Sequence, residues 1–226
     1  MAVILLSDDE RAVRTGMRRF LESEGFTVEV AKDGIEAVEK FAAIRPDLVL
    51  LDVMMPKCNG FAACTEIRRI DPAVPVVFLT ALDSEADLVR GFSLGADDYV
   101  SKSSGQGEQL ARIRAALSRS QFYLGLSSGG KVVMGKTTAD IDALTVDEKG
   151  RETVRLTKTE GDILRFLAAN RGNVVSRKEM LDAMRGAGFA CEEGMLYVHV
   201  CNLRRKLGAA GEMIVSERGA GYRLVR

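Results

Sequence analysis

Five polar positions have the types and spacing to do chemistry together: Asp8 and Asp9, Asp52, Thr80 and Lys102 each close a short apolar run at its C-terminal side. Three carboxylates forced into one place repel one another and need a cation, and an oxygen-only ligand set with room for water suits Mg²⁺. A threonine hydroxyl and a lysine ammonium beside them suit an anion bound to that metal, so the set has the makings of a phosphoryl site. Phosphoryl transfer is mostly positioning and charge neutralisation, so one carboxylate can act as nucleophile while metal and lysine hold the remaining oxygens. Taken singly, each residue has a plainer role. Asp8 or Asp9 can cap a helix, Asp52 can start a turn, Thr80 can be a β-branched strand residue and Lys102 a solvated charge. Only convergence makes the chemistry.

Convergence requires a particular scaffold. Apolar runs at Val3–Leu6, Leu48–Leu51, Val76–Leu79 and Tyr99–Val100 alternate with helical patterns at Glu10–Glu24, Ile35–Ala43, Gly60–Arg69, Ser84–Leu94 and Gln106–Ser120. Thr27–Ala31 instead alternates around Glu29, as an edge strand does. This predicts an α/β domain with a five-stranded, doubly wound parallel sheet of order 2-1-3-4-5, over residues 1–120. Ligands in such sheets sit beyond the carboxyl ends of the strands. From Ser118 the text becomes SRSQFYLGLSSGGK, a Ser/Gly-rich passage that predicts a linker over 121–130 and a second domain over 131–226. That domain should open with short strands at Val132–Met134, Ile141–Val146 and Val154–Leu156. Two helix starts spell capping boxes, Thr157-x-x-Glu160 and Ser176-x-x-Glu179. A third helix follows at Glu193–Leu207, then a hairpin around Arg218–Gly219–Ala220–Gly221.

SDDE, LLDVMMP, FLTA and GADDYVSK, in this order, resemble a two-component receiver domain. The resemblance implies phosphorylation of Asp52 by a partner histidine kinase, with Mg²⁺ on Asp8, Asp9, Asp52 and the Met54 carbonyl. Thr80 and Lys102 would contact the phosphoryl group, and Tyr99 would be the switch aromatic that follows Thr80 inward. It implies a homodimer surface in which Asp98 and Arg112 match one ion pair and Glu108 matches half of another, whose basic partner is replaced by Leu88. It departs after Lys102, where Ser103–Ser104–Gly105 stand in place of a proline and an aromatic residue, predicting a looser loop. Met54 and Leu82, both apolar, predict slow self-dephosphorylation.

Charge separates the two halves. Residues 1–120 carry 15 basic and 19 acidic side chains, whereas residues 121–226 carry 17 and 13, so the second half is the one suited to a polyanion. On the third helix Leu196, Val200, Leu203 and Leu207 form one apolar stripe, leaving Val198, Cys201, Asn202 and Arg205 opposite, flanked by Tyr197, His199, Arg204 and Lys206. Asn202 can bond adenine, Arg205 guanine or phosphate, and Val198 a thymine methyl. The segments VRLTKTEGDILRFLAANRGNVVSRKEML, YVHVCNLRRKLG and IVSERGAGYRL resemble the winged helix-turn-helix domain of OmpR/PhoB-type response regulators. This implies double-stranded DNA as partner, with His199, Asn202, Arg204 and Arg205 on the recognition helix, Arg218 on the wing and Ser216 beside it. RNA polymerase is a partner that the family allows, but the loop Arg185–Glu192, often its contact there, is not carried over to this sequence. Met195, Tyr197, Asn202 and Met184 depart from the residues usual at those places.

Other classes fit less well. No stretch approaches the ~20 apolar residues of a membrane span, and the start MAVILLSDDE does not spell a secretion signal, so a cytoplasmic protein is expected. Four cysteines without a CxxC pair and the single His199 leave zinc sites and Ser-His or Cys-His catalysis short of parts. An aspartate-nucleophile phosphatase typically carries a second acid two residues after the nucleophile, where Met54 stands. A nucleotide binder would need a glycine-rich loop where SDDE stands. A non-enzymatic, phosphorylation-gated transcription factor is favoured, with a phosphorylation-independent regulator as the alternative.

Overall fold

A computed structural model describes residues 1–81, 85–118, 130–186 and 193–225. The chain divides into two units, Met1–Ser118 and Arg119–Arg226; the expected linker lies, apart from Gly130, outside the described residues.

In the first unit β1 (Val3–Ser7), β2 (Thr27–Ala31), β3 (Leu48–Leu51), β4 (Val76–Thr80) and β5 (Asp98–Ser101) alternate with α1 (Arg11–Ser23), α2 (Gly34–Ile44), α3 (Gly60–Ile70), α4 (Glu85–Ser93) and α5 (Gln106–Ser118). Every strand pair is parallel and the order is β2-β1-β3-β4-β5, as the pattern of apolar runs predicts. Strands β1, β3 and β4 lie inside the sheet and are covered on both faces, which demands unbroken apolar runs. At the edge, β2 leaves Thr27 and Glu29 exposed. One face gathers Ile4, Leu6, Leu48, Leu50, Val77 and Leu79 against Leu21 of α1 and Ile113 of α5, each such side chain stabilising by ~1.5–3 kcal/mol. From β4, Phe78 meets Phe61 of α3 edge-on, with ring centroids 5.3 Å apart. A polar tie holds the amino ends of β4 and β5 to α3: Arg68 donates to the carbonyls of Gly95 and Val74 and to Asp97, which also accepts the Val76 amide.

The second unit opens with an antiparallel sheet of β6 (Lys131–Met134), β7 (Thr137–Asp140), β8 (Thr145–Glu148) and β9 (Val154–Arg155). Here the expected strand Ile141–Val146 is corrected. Residues 141–144 form a turn, closed by Leu144 at φ 52°, and β7 precedes it. Strand β7 buries Thr137 and Ala139, residues too small or polar to register as an apolar run, whereas the buried Ile141 belongs to the turn. Then come α6 (Lys158–Ala169), α7 (Arg177–Gly186), α8 (Glu193–Leu207), a 3-10 helix (Gly208–Met213) and the hairpin β10 (Ile214–Glu217) and β11 (Gly221–Leu224). Both capping boxes form. The Thr157 hydroxyl accepts the Glu160 amide while the Glu160 carboxylate accepts that of Thr157, and Ser176 and Glu179 repeat the exchange. Val175 bridges to Tyr222 beside the hairpin, completing a wing.

Candidate functional site

Parallel strands deliver their carboxyl ends to one edge of the sheet, and the acidic residues meet there. Asp8 follows β1 and Asp52 follows β3; carboxylate oxygens of Asp8, Asp9 and Asp52 lie within 4.8 Å of one another. Asp8 and Asp52 are buried and Asp9 is exposed, so the cluster faces water through one member. The donor set fits a hard divalent cation: oxygen only, doubly charged after one lysine is counted, and open on one side for water. Asp8 combines this with the plainer helix-capping role, since its Oδ1 accepts the Glu10 amide just before α1.

Lys102 Nζ lies 2.7 Å from Asp8 Oδ2 and 2.9 Å from Asp52 Oδ2, bridging the two carboxylates. Burial pushes the Asp52 carboxyl up, against the pull of Lys102. Burial alone would depress Lys102, but its hydrogen bonds to Asp8 and Asp52 and their charge outweigh it and hold the ammonium above its usual range. Glu10, which the sequence did not mark, stands 3.9 Å from the same Nζ. Met54 is 65% exposed, and its amide points back to Asp52 Oδ1 at 3.3 Å. Thr80 ends β4 beside Ser101, is buried, and gives its carbonyl to the Lys102 amide.

Gly60 was also unmarked. A Cβ there would stand 2.1 Å from the carbonyl oxygen of Asp52, so only glycine lets α3 begin directly beneath the acidic residue.

Tyr99 lies against α4. Its hydroxyl donates to the Asp87 carbonyl at 3.0 Å, its ring packs between Phe78 and Phe92, and burial pushes its phenol up. Gly91 makes the seat: a Cβ at that position would stand 2.0 Å from the Tyr99 hydroxyl oxygen. Of the expected dimer residues, Arg112 pairs within the chain with Asp98 at 3.3 Å and Glu108 at 3.1 Å. Leu82 lies outside the described residues.

The basic helix departs further from expectation. Val198, His199 and Asn202, assigned to DNA contact, are 6%, 1% and 6% exposed. The expectation of a single buried stripe is corrected because α8 packs against α6, α7 and the 3-10 helix together. Its outward arc is Tyr197, Cys201, Arg204 and Arg205. Asn202 Oδ1 accepts from Arg205 Nη2 at 3.1 Å, so it orients that side chain. Arg204 is tied to the wing: Nε and Nη2 donate to the Ile214 carbonyl at 2.9 and 2.6 Å, and Nη2 to Ser216 at 2.9 Å. Lys206 pairs with Glu160 at 2.6 Å, joining the end of α8 to the start of α6. Arg218 is exposed in the turn of the wing. Of the loop 185–192, residues 187–192 lie outside the described residues.

Residues 4–114 match the family described as response regulator receiver domain, and residues 150–224 that described as transcriptional regulatory protein, C terminal. The chain is 40% identical over 222 residues to Response regulator MprA of Mycobacterium ulcerans (strain Agy99), covering 97% of this chain and 95% of that protein. A solved structure of a RitR mutant superposes with a TM-score of 0.80 at 26% identity over 99% of each chain. Chemotaxis protein CheY4 of Vibrio cholerae matches with a TM-score of 0.50 at 29% identity, covering 52% of this chain and 99% of that one.

Proposed function

The chain belongs to the OmpR/PhoB-type family of DNA-binding two-component response regulators, and on that premise we propose that Asp52 is its phosphoacceptor. A carboxylate oxygen of Asp52 attacks the phosphorus of a phosphohistidine on the partner kinase; the new P–O bond forms as the P–N bond breaks and its electron pair stays on nitrogen. Asp8, Asp9, Asp52 and the Met54 carbonyl would hold Mg²⁺, which when bound would offset the charge of carboxylates and phosphoryl oxygens together. Lys102 and Thr80 hold the transferred group. Thr80 and Tyr99 then pass the change to the face carrying Asp98, Glu108 and Arg112, through which two copies pair. The chain is the substrate of this transfer and a transcription factor, not an enzyme with turnover, and it works in the cytoplasm.

On DNA, Arg205 reaches the major groove from α8 and Arg218 the minor groove or its phosphates from the wing. Val198, His199, Asn202 and Arg204 support them from behind. RNA polymerase is a further partner. Residues 1–120, 121–130 and 131–226 are receiver, linker and effector.

The observation that carries this reading is the Lys102 ammonium bridging Asp8 and Asp52 within a three-carboxylate cluster. Intact-mass spectrometry after incubation with Mg²⁺ and acetyl phosphate tests it. One added phosphoryl group is expected, absent without metal and in Asp52→Ala. No addition, or addition that survives in Asp52→Ala, overturns it.

A further inference from the structure

The loop after β5, Ser103–Ser104–Gly105, is closely tied and not loose as expected. Ser104 returns its amide and hydroxyl to the Ser101 carbonyl at 3.2 and 2.9 Å, and the hydroxyls of Ser101 and Ser103 meet at 2.7 Å. The anchor comes from α5. Gln109, 4% exposed, directs its amide nitrogen at three main-chain carbonyls: Ser104 at 3.1 Å, Ser101 at 3.2 Å and Lys102 at 3.5 Å. Carbonyl oxygens only accept, so three of them converging on one atom select the donor end of the amide. The Lys102 amide is held by the Thr80 carbonyl at 3.0 Å, and the two hydrogens of the Gln109 amide best serve Ser104 and Ser101 on either side of it, the Lys102 carbonyl lying farther off at 3.5 Å. From that fixed backbone its ammonium spans Asp8 and Asp52.

We propose that Gln109 is a positioning residue for phosphoryl transfer, setting where the Lys102 ammonium stands through the backbone of residues 101–104. The inference rests on the reading of Asp52 and Lys102 as a phosphoryl site. A group that sets a charge near the reacting atoms matters steeply, since misplacement by about 1 Å can cost ~100-fold in rate. A buried amide that merely filled space would be replaceable by an apolar side chain of equal length.

The test is the rate of Asp52 phosphorylation by acetyl phosphate with Mg²⁺, followed by intact mass on the full chain. It is run for wild type, Gln109→Met, Lys102→Ala and the double variant, with circular dichroism as a folding check. Gln109→Met is expected to slow the reaction about tenfold, and to slow the Lys102→Ala protein no further, because both changes remove one effect. Equal rates for wild type and Gln109→Met, or a full additional tenfold loss in the double variant, overturn the proposal. Gln109→Glu, which keeps length and polarity but turns an acceptor toward the three carbonyls, is read in the same way should Gln109→Met not fold. Failure of both to fold assigns Gln109 to folding alone and overturns it as well. A wild-type protein that takes no phosphoryl group on Asp52 sinks the site reading and this inference with it, whereas a modified wild type with unaffected Gln109 variants sinks only the latter.

Discussion

In the proposed transfer Asp52 acts as the ionised carboxylate, and its burial works against that. Its carboxyl is pushed up by desolvation despite Lys102, so the folded chain prefers it protonated more than the unfolded chain does. A group whose folded pKa is raised contributes stability at low pH and loses it as pH rises through that value. Metal-free protein should therefore lose stability as pH rises from the model-peptide value of about 3.9 through the raised Asp52 pKa, and Asp52→Asn should flatten that part of the profile. Near neutral pH the same variant should melt higher, because a neutral amide replaces a carboxylate whose desolvation outweighs its pairing with Lys102. Mg²⁺ should stabilise wild type by mass action and the variant far less; thermal melts with and without Mg²⁺ check both. Lys102, also raised, should hold its contribution to stability until pH passes its unfolded value of about 10.4, and lose it as pH rises further through the folded one. The acidic positions were legible because each ends an apolar run. Glu10, Gly60 and Gln109 were not, because they act by approach to a backbone or a charge brought near only by folding.

In the proposed switch the elements carry the change outward, and α4 is where a small substitution should show it. Ala at position 91 would set a Cβ against the Tyr99 hydroxyl, expelling the ring from its seat between Phe78 and Phe92. Gly91→Ala should change the dimer fraction of unphosphorylated protein, as read by sedimentation; an unchanged fraction would show that the Tyr99 seat does not gate pairing. The tie from α3 is structural by contrast. Arg68 and Asp97 are 9% and 1% exposed at the side chain, and Arg68→Ala should cost about 3–5 kcal/mol because a buried carboxylate is left behind, measurable by urea denaturation. At this scale the receiver strands were readable, since a sheet covered on both faces writes itself as apolar runs. Strand β7 was not, its buried face being Thr137 and Ala139. The facing of α8 was missed because one helix covered by three neighbours buries more than one stripe, and periodicity within a single helix cannot count its neighbours.

For the whole molecule the question is what DNA meets. The basic excess of the second half supplies a salt-dependent attraction, to which Arg218, exposed at the wing, is proposed to contribute. Arg218→Ala should weaken binding to all DNA sequences by a similar factor and lower the slope of log affinity against log salt by about 1. Arg205→Ala should also relax sequence preference, and titrations at several salt concentrations separate the two. Arg204 belongs to neither class. It spends its donors on Ile214 and Ser216, the strand leading into the wing, so recognition helix and wing are fastened to each other before DNA arrives. With α8 and the wing in the grooves as proposed, a pair of prongs joined in this way is a calliper: it has a set gauge and measures the interval between a major groove and the neighbouring minor groove. One base pair inserted between those two points, ~3.4 Å of rise, should be poorly tolerated even where every contacted base is kept, and loosening the joint with Arg204→Ala should restore tolerance at the expense of affinity.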